Sequence, residues 1–220
     1  MLTPLPSSTP PLPAPLAPHE KGASRATRRP PASPRETALG RLGRADRFLV
    51  SHSVRTARIA AALGRRLGWS EVAALELERA ALFHDIGKTM LPHSLLVKPG
   101  PLTSSELALV RRHAPWGATL LARLSGVPPL APQVARHHHE RWDGTGYPDG
   151  RSGLDIPEAA RIVAVADAFD ALTADRTYRE PIPPSAALER LGREAGGQFD
   201  TRAYAALVAL VAADDLRPAV

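Results

Sequence analysis

Ten of the 23 prolines fall within the first 34 residues, among Ser, Ala and Thr and with no aromatic side chain. A stretch of that kind cannot continue a helix or a ladder, and it offers too little apolar surface to offset the entropy of ordering it. Any packed core must therefore come from the rest of the chain. Residues 1–36 are expected to be a disordered or polyproline II tail, and residues 37–220 a single folded domain.

Beyond the tail the apolar spacing is helical. Val54, Ile59, Leu63 and Leu67 recur at helical intervals up to Gly68, and Ser70 can cap a second helix through Val72, Leu75, Leu82 and Phe83. Thr103 and Glu106 have the spacing of a capping box. Pro115 and Trp116 open a further helix, and Pro132 precedes the segment that holds three consecutive histidines. Pro157 leads into an Ala- and Val-rich helix over residues 158–174, and two more are expected near 184–194 and 201–212, parted by Gly196 and Gly197. No sustained alternation of apolar and polar residues suggests strands. The fold class expected is all-α.

Composition narrows the chemistry. The chain has no cysteine, so disulfides and thiolate metal sites are excluded and any metal must be held by His, Asp and Glu. No apolar run reaches the ~20 residues of a membrane span, and the proline-broken leader does not read as a signal peptide, which points to a soluble, cytoplasmic protein. The net charge of +6 is uneven: residues 1–47 hold eight Lys or Arg against three Asp or Glu, and the rest hold 20 against 19. A basic excess confined to a tail argues against a nucleic-acid partner for the domain.

Six histidines lie on or beside apolar helical segments, in "SHSVRTARIA", "ALFHDIGK", "RRHAPWGA" and "RHHHERWDG". Each alone reads as an ordinary helix histidine. The adjacent His84 and Asp85 are more specific, because a carboxylate has two oxygens and can bridge two cations where an imidazole ligates one. Asp167 stands in the apolar run "IVAVADAFDAL", where a carboxylate is costly unless metal-bound or paired with an arginine such as Arg161 or Arg176.

Taken together, "FHDIGK", "HHERWDGTGYP", "ARIVAVADAFDALTADRTYR" and "GGQFD" resemble the HD-GYP domain, a branch of the HD superfamily of metal-dependent phosphohydrolases, over about residues 48–212. The resemblance implies an all-α HD-superfamily helical bundle that hydrolyses cyclic di-GMP to linear pGpG and/or GMP with two divalent metal ions, iron or manganese. It implies that His52, His84, Asp85 and Asp167 hold the first metal. Asp85 would bridge to the second, completed by His113, His138 and His139. His137 is then the spare histidine, expected at the surface.

Some members of the family add a carboxylate one turn before the first ligand and hold a third metal. Phe48 occupies that place here and Asp46 is two residues out of register, which favours two metals. By the same resemblance Gly146, Tyr147 and Pro148 line the substrate side, and Arg176 and Arg179 bind substrate phosphate. Lys88, one of only three lysines, can reach a phosphate oxygen or the leaving group. Glu140 either holds a ligating imidazole or is exposed, Trp142 serves the loop or the core, and Asp170 is read as a structural partner. Signalling proteins such as diguanylate cyclases are candidate partners. The alternatives are a non-catalytic module that binds cyclic di-GMP or a signalling protein, and an HD hydrolase of another nucleotide.

Overall fold

The computed structural model describes residues 47–175 and 180–216. The Pro-rich tail, the expected boundary at residue 37, Asp46, Arg176 and Arg179 lie outside the described residues. Within them the chain is helical: α1 (Arg47–Arg66), α2 (Glu71–Ala81), a 3-10 turn (Ile86–Met90), α3 (His93–Leu96), α4 (Ser104–Arg111), α5 (His113–Leu121), α6 (Ala131–His137), a second 3-10 turn (Gly153–Asp155), α7 (Glu158–Thr173), α8 (Pro184–Gly192) and α9 (Thr201–Ala212). The β structure among the described residues is an isolated bridge between Ala195 and Phe199. No described helix is long and apolar enough to cross a membrane.

Local signals set the helix ends. The Ser70 hydroxyl accepts the Ala73 N–H, and Thr103 and Glu106 close a reciprocal capping box at the start of α4. The helices then pack around α1 and α7, with α2, α7 and α9 against α1, and α6, α8 and α9 against α7. Leu63, Leu77, Phe83, Ile86, Leu121, Ile162 and Leu207 are fully buried at the centre. Each such side chain contributes about 1.5–3 kcal/mol of apolar burial. Alanines at 57, 60, 74, 80, 131, 135 and 166 fill the contacts between helices, so backbones approach closely and side chains from four segments can converge.

Several expectations need correction. Val72 and Leu75, whose apolar spacing marks the second helix, are 76% and 45% exposed. Helix α2 meets α1 with Ala74, Leu77, Ala80 and Ala81, and Val72 and Leu75 fall on the opposite arc of the same helix. Helix α5 begins at His113 and not at Pro115, whose missing N–H costs nothing in a first turn. Helix α6 ends at His137, so His138 and His139 stand in the turn that follows. His84 and Asp85 likewise sit in a turn past α2 rather than on a helix, which frees both side chains to point the same way.

Candidate metal centre

The convergence begins with a glycine. Gly87 lies in the 3-10 turn just after Asp85, and a Cβ there would stand 1.9 Å from the His113 carbonyl oxygen and 2.7 Å from the Gly117 nitrogen. Only a residue with no side chain lets that turn press against the first turn of α5. The contact brings Asp85 beside His113. The end of α6 delivers His138 and His139 to the same place, while α1 and α7 present His52 and Asp167 to His84.

Two groups of ligand atoms result: Asp85, His113, His138 and His139, and His52, His84 and Asp167, with all atoms of each group within 4.8 Å of one another. Asp85 joins them. Its Oδ1 faces the Nε2 atoms of His113 and His138 at 3.3 and 3.7 Å, and its Oδ2 faces His84 Nε2 at 3.4 Å. Asp167 Oδ1 lies 3.0 Å from His52 Nε2 and 4.0 Å from His84 Nε2. Arg161, the alternative partner for Asp167, is instead paired with Asp200.

Backbone carbonyls fix which imidazole nitrogen is free. His84 Nδ1 donates to Ala81 O at 2.8 Å, His113 Nδ1 to Val110 O at 2.7 Å, and His138 Nδ1 to Val134 O and Ala135 O at 3.1 Å each. A carbonyl only accepts, so each Nδ1 carries the hydrogen and each Nε2 keeps its lone pair. Those three Nε2 atoms and Asp85 Oδ1 are buried and have no hydrogen-bond partner among the described residues. Leaving such atoms unsatisfied costs about 1–3 kcal/mol apiece. Four such atoms, spread over the two groups, suit divalent cations, which take imidazole and carboxylate together and offer no hydrogen to compete for. This donor set therefore fits a divalent metal.

Protonation agrees with that use. Burial works against the charge on Asp85, but Lys88 and His84 outweigh it and hold its carboxyl well below the usual range. Burial also opposes ionisation of Asp167, and His52 and His84 overcome it. Burial pushes the His138 and His139 imidazoles down, keeping them neutral. His52 differs. Burial would lower it, yet its contacts with Asp167 and Asp170 raise it to about 9. Asp170 is the orienting partner, taking His52 Nδ1 at 2.6 Å while Arg55 holds its other oxygen at 2.6 Å. Lys88 sits in the 3-10 turn with Nζ 2.5 Å from Asp85 Oδ2 and its side chain 25% exposed, between the buried carboxylate and solvent.

The loop after the histidines folds back over this centre. Gly146 is in contact with the backbone of Glu140 and Arg141, where a Cβ would be 2.4 Å from Arg141 N. Tyr147 stacks on the His139 ring at 4.8 Å, and Pro148 follows through a cis peptide. The "GGQFD" stretch anchors the loop from outside, since Trp142 N donates to Gln198 O and Asp143 N to Gly197 O. Trp142 also lies under the Arg161 guanidinium.

Glu140 is neither exposed nor on a ligating imidazole. It is 3% exposed and accepts the backbone N–H groups of Asp149 and Arg151 at 2.8 and 3.1 Å, clamping the loop shut. His137, expected at the surface, is 5% exposed, because the closed loop brings Asp149 and Glu140 over it at 3.5 and 3.8 Å. Burial pushes its imidazole down to about 4. Sequence reasoning also missed Arg111, whose guanidinium lies over the Tyr147 ring at 5.2 Å. No motif flags a residue that acts only through stacking.

A family model described as HD domain matches residues 41–203. A cyclic di-GMP phosphodiesterase of Pseudomonas aeruginosa is 41% identical over 174 residues, 79% of this chain and 42% of that protein. A cyclic di-GMP phosphodiesterase response regulator of Xanthomonas campestris is 43% identical over 182 residues, 79% of this chain and 47% of that protein. The chain thus spans less than half the length of these relatives. Among solved structures, an HDG"Y"P protein from Bdellovibrio bacteriovorus superimposes with a TM-score of 0.61 at 24% identity, over 74% of this chain and 52% of that one, which is a likeness of fold.

Proposed function

This chain belongs to the HD-domain family and carries the HD and GYP motifs of its HD-GYP branch, and on that premise we propose that it is a metal-dependent phosphodiesterase that hydrolyses cyclic di-GMP to linear pGpG and/or GMP. The observation that carries the reading is Asp85, whose two oxygens face the two ligand groups, beside buried imidazole nitrogens with no hydrogen-bond partner among the described residues. In this reading His52, His84, Asp85 and Asp167 hold one ion and Asp85, His113, His138 and His139 the other. Iron or manganese suits the mixed imidazole and carboxylate donors. Two divalent ions held by these residues would supply Lewis acidity toward the phosphodiester and the attacking water.

The chain's own residues do the rest. The buried carboxylates set the charge of the centre, and the carbonyl-bound imidazoles keep their tautomers through the cycle. In this reading Lys88, at the solvent edge of Asp85, donates to a phosphate oxygen or to the leaving oxygen. Arg176 and Arg179 carry the phosphates of the substrate. Gly146 and Pro148 shape the loop on that side.

The test is a hydrolysis assay with anaerobically purified protein and metal analysis of the same sample. Two ions per chain and turnover of cyclic di-GMP, lost on chelation and restored by manganese or iron, are expected. Three tightly held ions would overturn the dinuclear reading, and fully loaded protein that leaves cyclic di-GMP intact would overturn the activity. Arg176→Ala is expected to keep its metals and lose roughly ten- to a hundredfold in kcat/KM, the effect of one charge-assisted phosphate contact.

A further inference from the structure

Hydrogen bonds orient four of the five imidazoles in the two ligand groups: His84, His113 and His138 through carbonyls and His52 through Asp170. Among the described residues His139 has no hydrogen bond to its ring. The torsion that turns an imidazole is broad, so a ligand without such a bond has no fixed plane of its own. Rings surround His139 instead. His138 lies at 4.0 Å, His113 meets it edge-on at 5.0 Å, and Tyr147 stacks at 4.8 Å with 27° between planes. Tyr147 is itself fixed. Its N–H donates to His139 O at 3.2 Å, the preceding Gly146 packs on the Glu140–Arg141 backbone, and the Arg111 guanidinium lies over its ring at 5.2 Å.

We propose that Tyr147 is a positioning residue of the metal centre: its ring, backed by Arg111, sets the plane of the His139 imidazole and so the affinity of the position formed by Asp85, His113, His138 and His139. The inference rests on the metal-centre reading above. It departs from a substrate role for the tyrosine on one physical ground. The ring is committed to protein contacts, stacked on His139 at 4.8 Å with the Arg111 guanidinium over it at 5.2 Å. The phenol hydroxyl makes no hydrogen bond among the described residues, so the ring and not the hydroxyl does the positioning.

The full-length chain is stripped of metal and titrated with Mn2+, with binding followed by electron paramagnetic resonance, for the native protein, Tyr147→Phe, Tyr147→Ala and Arg111→Ala. Tyr147→Phe keeps the ring and is expected to bind within about twofold of native. Tyr147→Ala is expected to weaken one of the two positions by roughly ten- to a hundredfold, the usual cost of losing a residue that orients a ligand, and to spare the other. At saturating metal its KM for cyclic di-GMP should be unchanged.

A Phe variant as weak as the Ala variant, or an Ala variant with native metal affinity and a raised KM, overturns the proposal. Should Tyr147→Ala fail to fold, Arg111→Ala on the exposed end of α4 decides: a severalfold weaker second position supports the stack, and native affinity refutes it. The titration needs no substrate. Normal two-ion binding without hydrolysis would therefore sink the functional reading while leaving this one standing.

Discussion

Asp85→Ala is expected to empty at least one metal position and to abolish hydrolysis. The carboxylate is 2% exposed, and its two oxygens are the link between the ligand groups, so no single imidazole substitution removes as much. Metal-ion stabilisation of a phosphoryl-transfer transition state is worth several kcal/mol, and each 1.4 kcal/mol is tenfold in rate. A loss of roughly three orders of magnitude or more in kcat follows. The Lys88 side chain is 25% exposed, so its ammonium keeps access to water in the variant and folding should survive. Metal content by elemental analysis and turnover by product chromatography check the two parts. Full metal content with native turnover would show that Asp85 is not the bridge.

Gly87→Ala should damage stability and site together. The new methyl would meet backbone atoms, the His113 carbonyl at 1.9 Å and Gly117 N at 2.7 Å, and backbone cannot rotate aside as a side chain can. The 3-10 turn and α5 must part by about 1.5 Å to restore ordinary contact. Overpacking of a rigid site costs about 3 kcal/mol or more, which for a domain of this size lowers Tm by about 6–12 °C. The same separation pulls Asp85 away from His113, so metal affinity should fall in the surviving folded protein. Gly117→Ala is the control across the same contact. Its Cβ meets Gly87 N at 3.1 Å and Ile86 Cγ2 at 3.3 Å, so a smaller loss is expected. Calorimetry and metal titration of both variants measure the difference, and equal, small effects would mean that the close approach is not needed.

The all-helical class, the caps at Ser70 and Thr103, and the HD, HHE and GYP motifs in order were all legible in the residues alone. Periodicity and capping depend on neighbours within four positions of one another, so the text of the chain carries them almost whole. Which face a helix buries is a different matter. Val72 and Leu75 are as apolar as Leu77, and only the arrival of α1 on one side of α2 leaves them in water.

The same limit applies at the centre. The resemblance named seven residues, and the structure brings them into two groups joined at Asp85, but what holds them there is spread along the chain. His52 depends on Asp170 from α7, 118 positions away, and the turn of Gly87 depends on the backbone of α5. His137 and Glu140 flank the named pair yet serve the loop, because the path of residues 141–151 brings backbone N–H groups and Asp149 back over them. Arg111 has no motif at all. Sequence alone determined which side chains can hold metal and roughly which helices carry them. Only the tertiary structure decided how each imidazole is aimed, because orientation depends on backbone carbonyls, loop closure and stacked rings that become neighbours only when the chain folds.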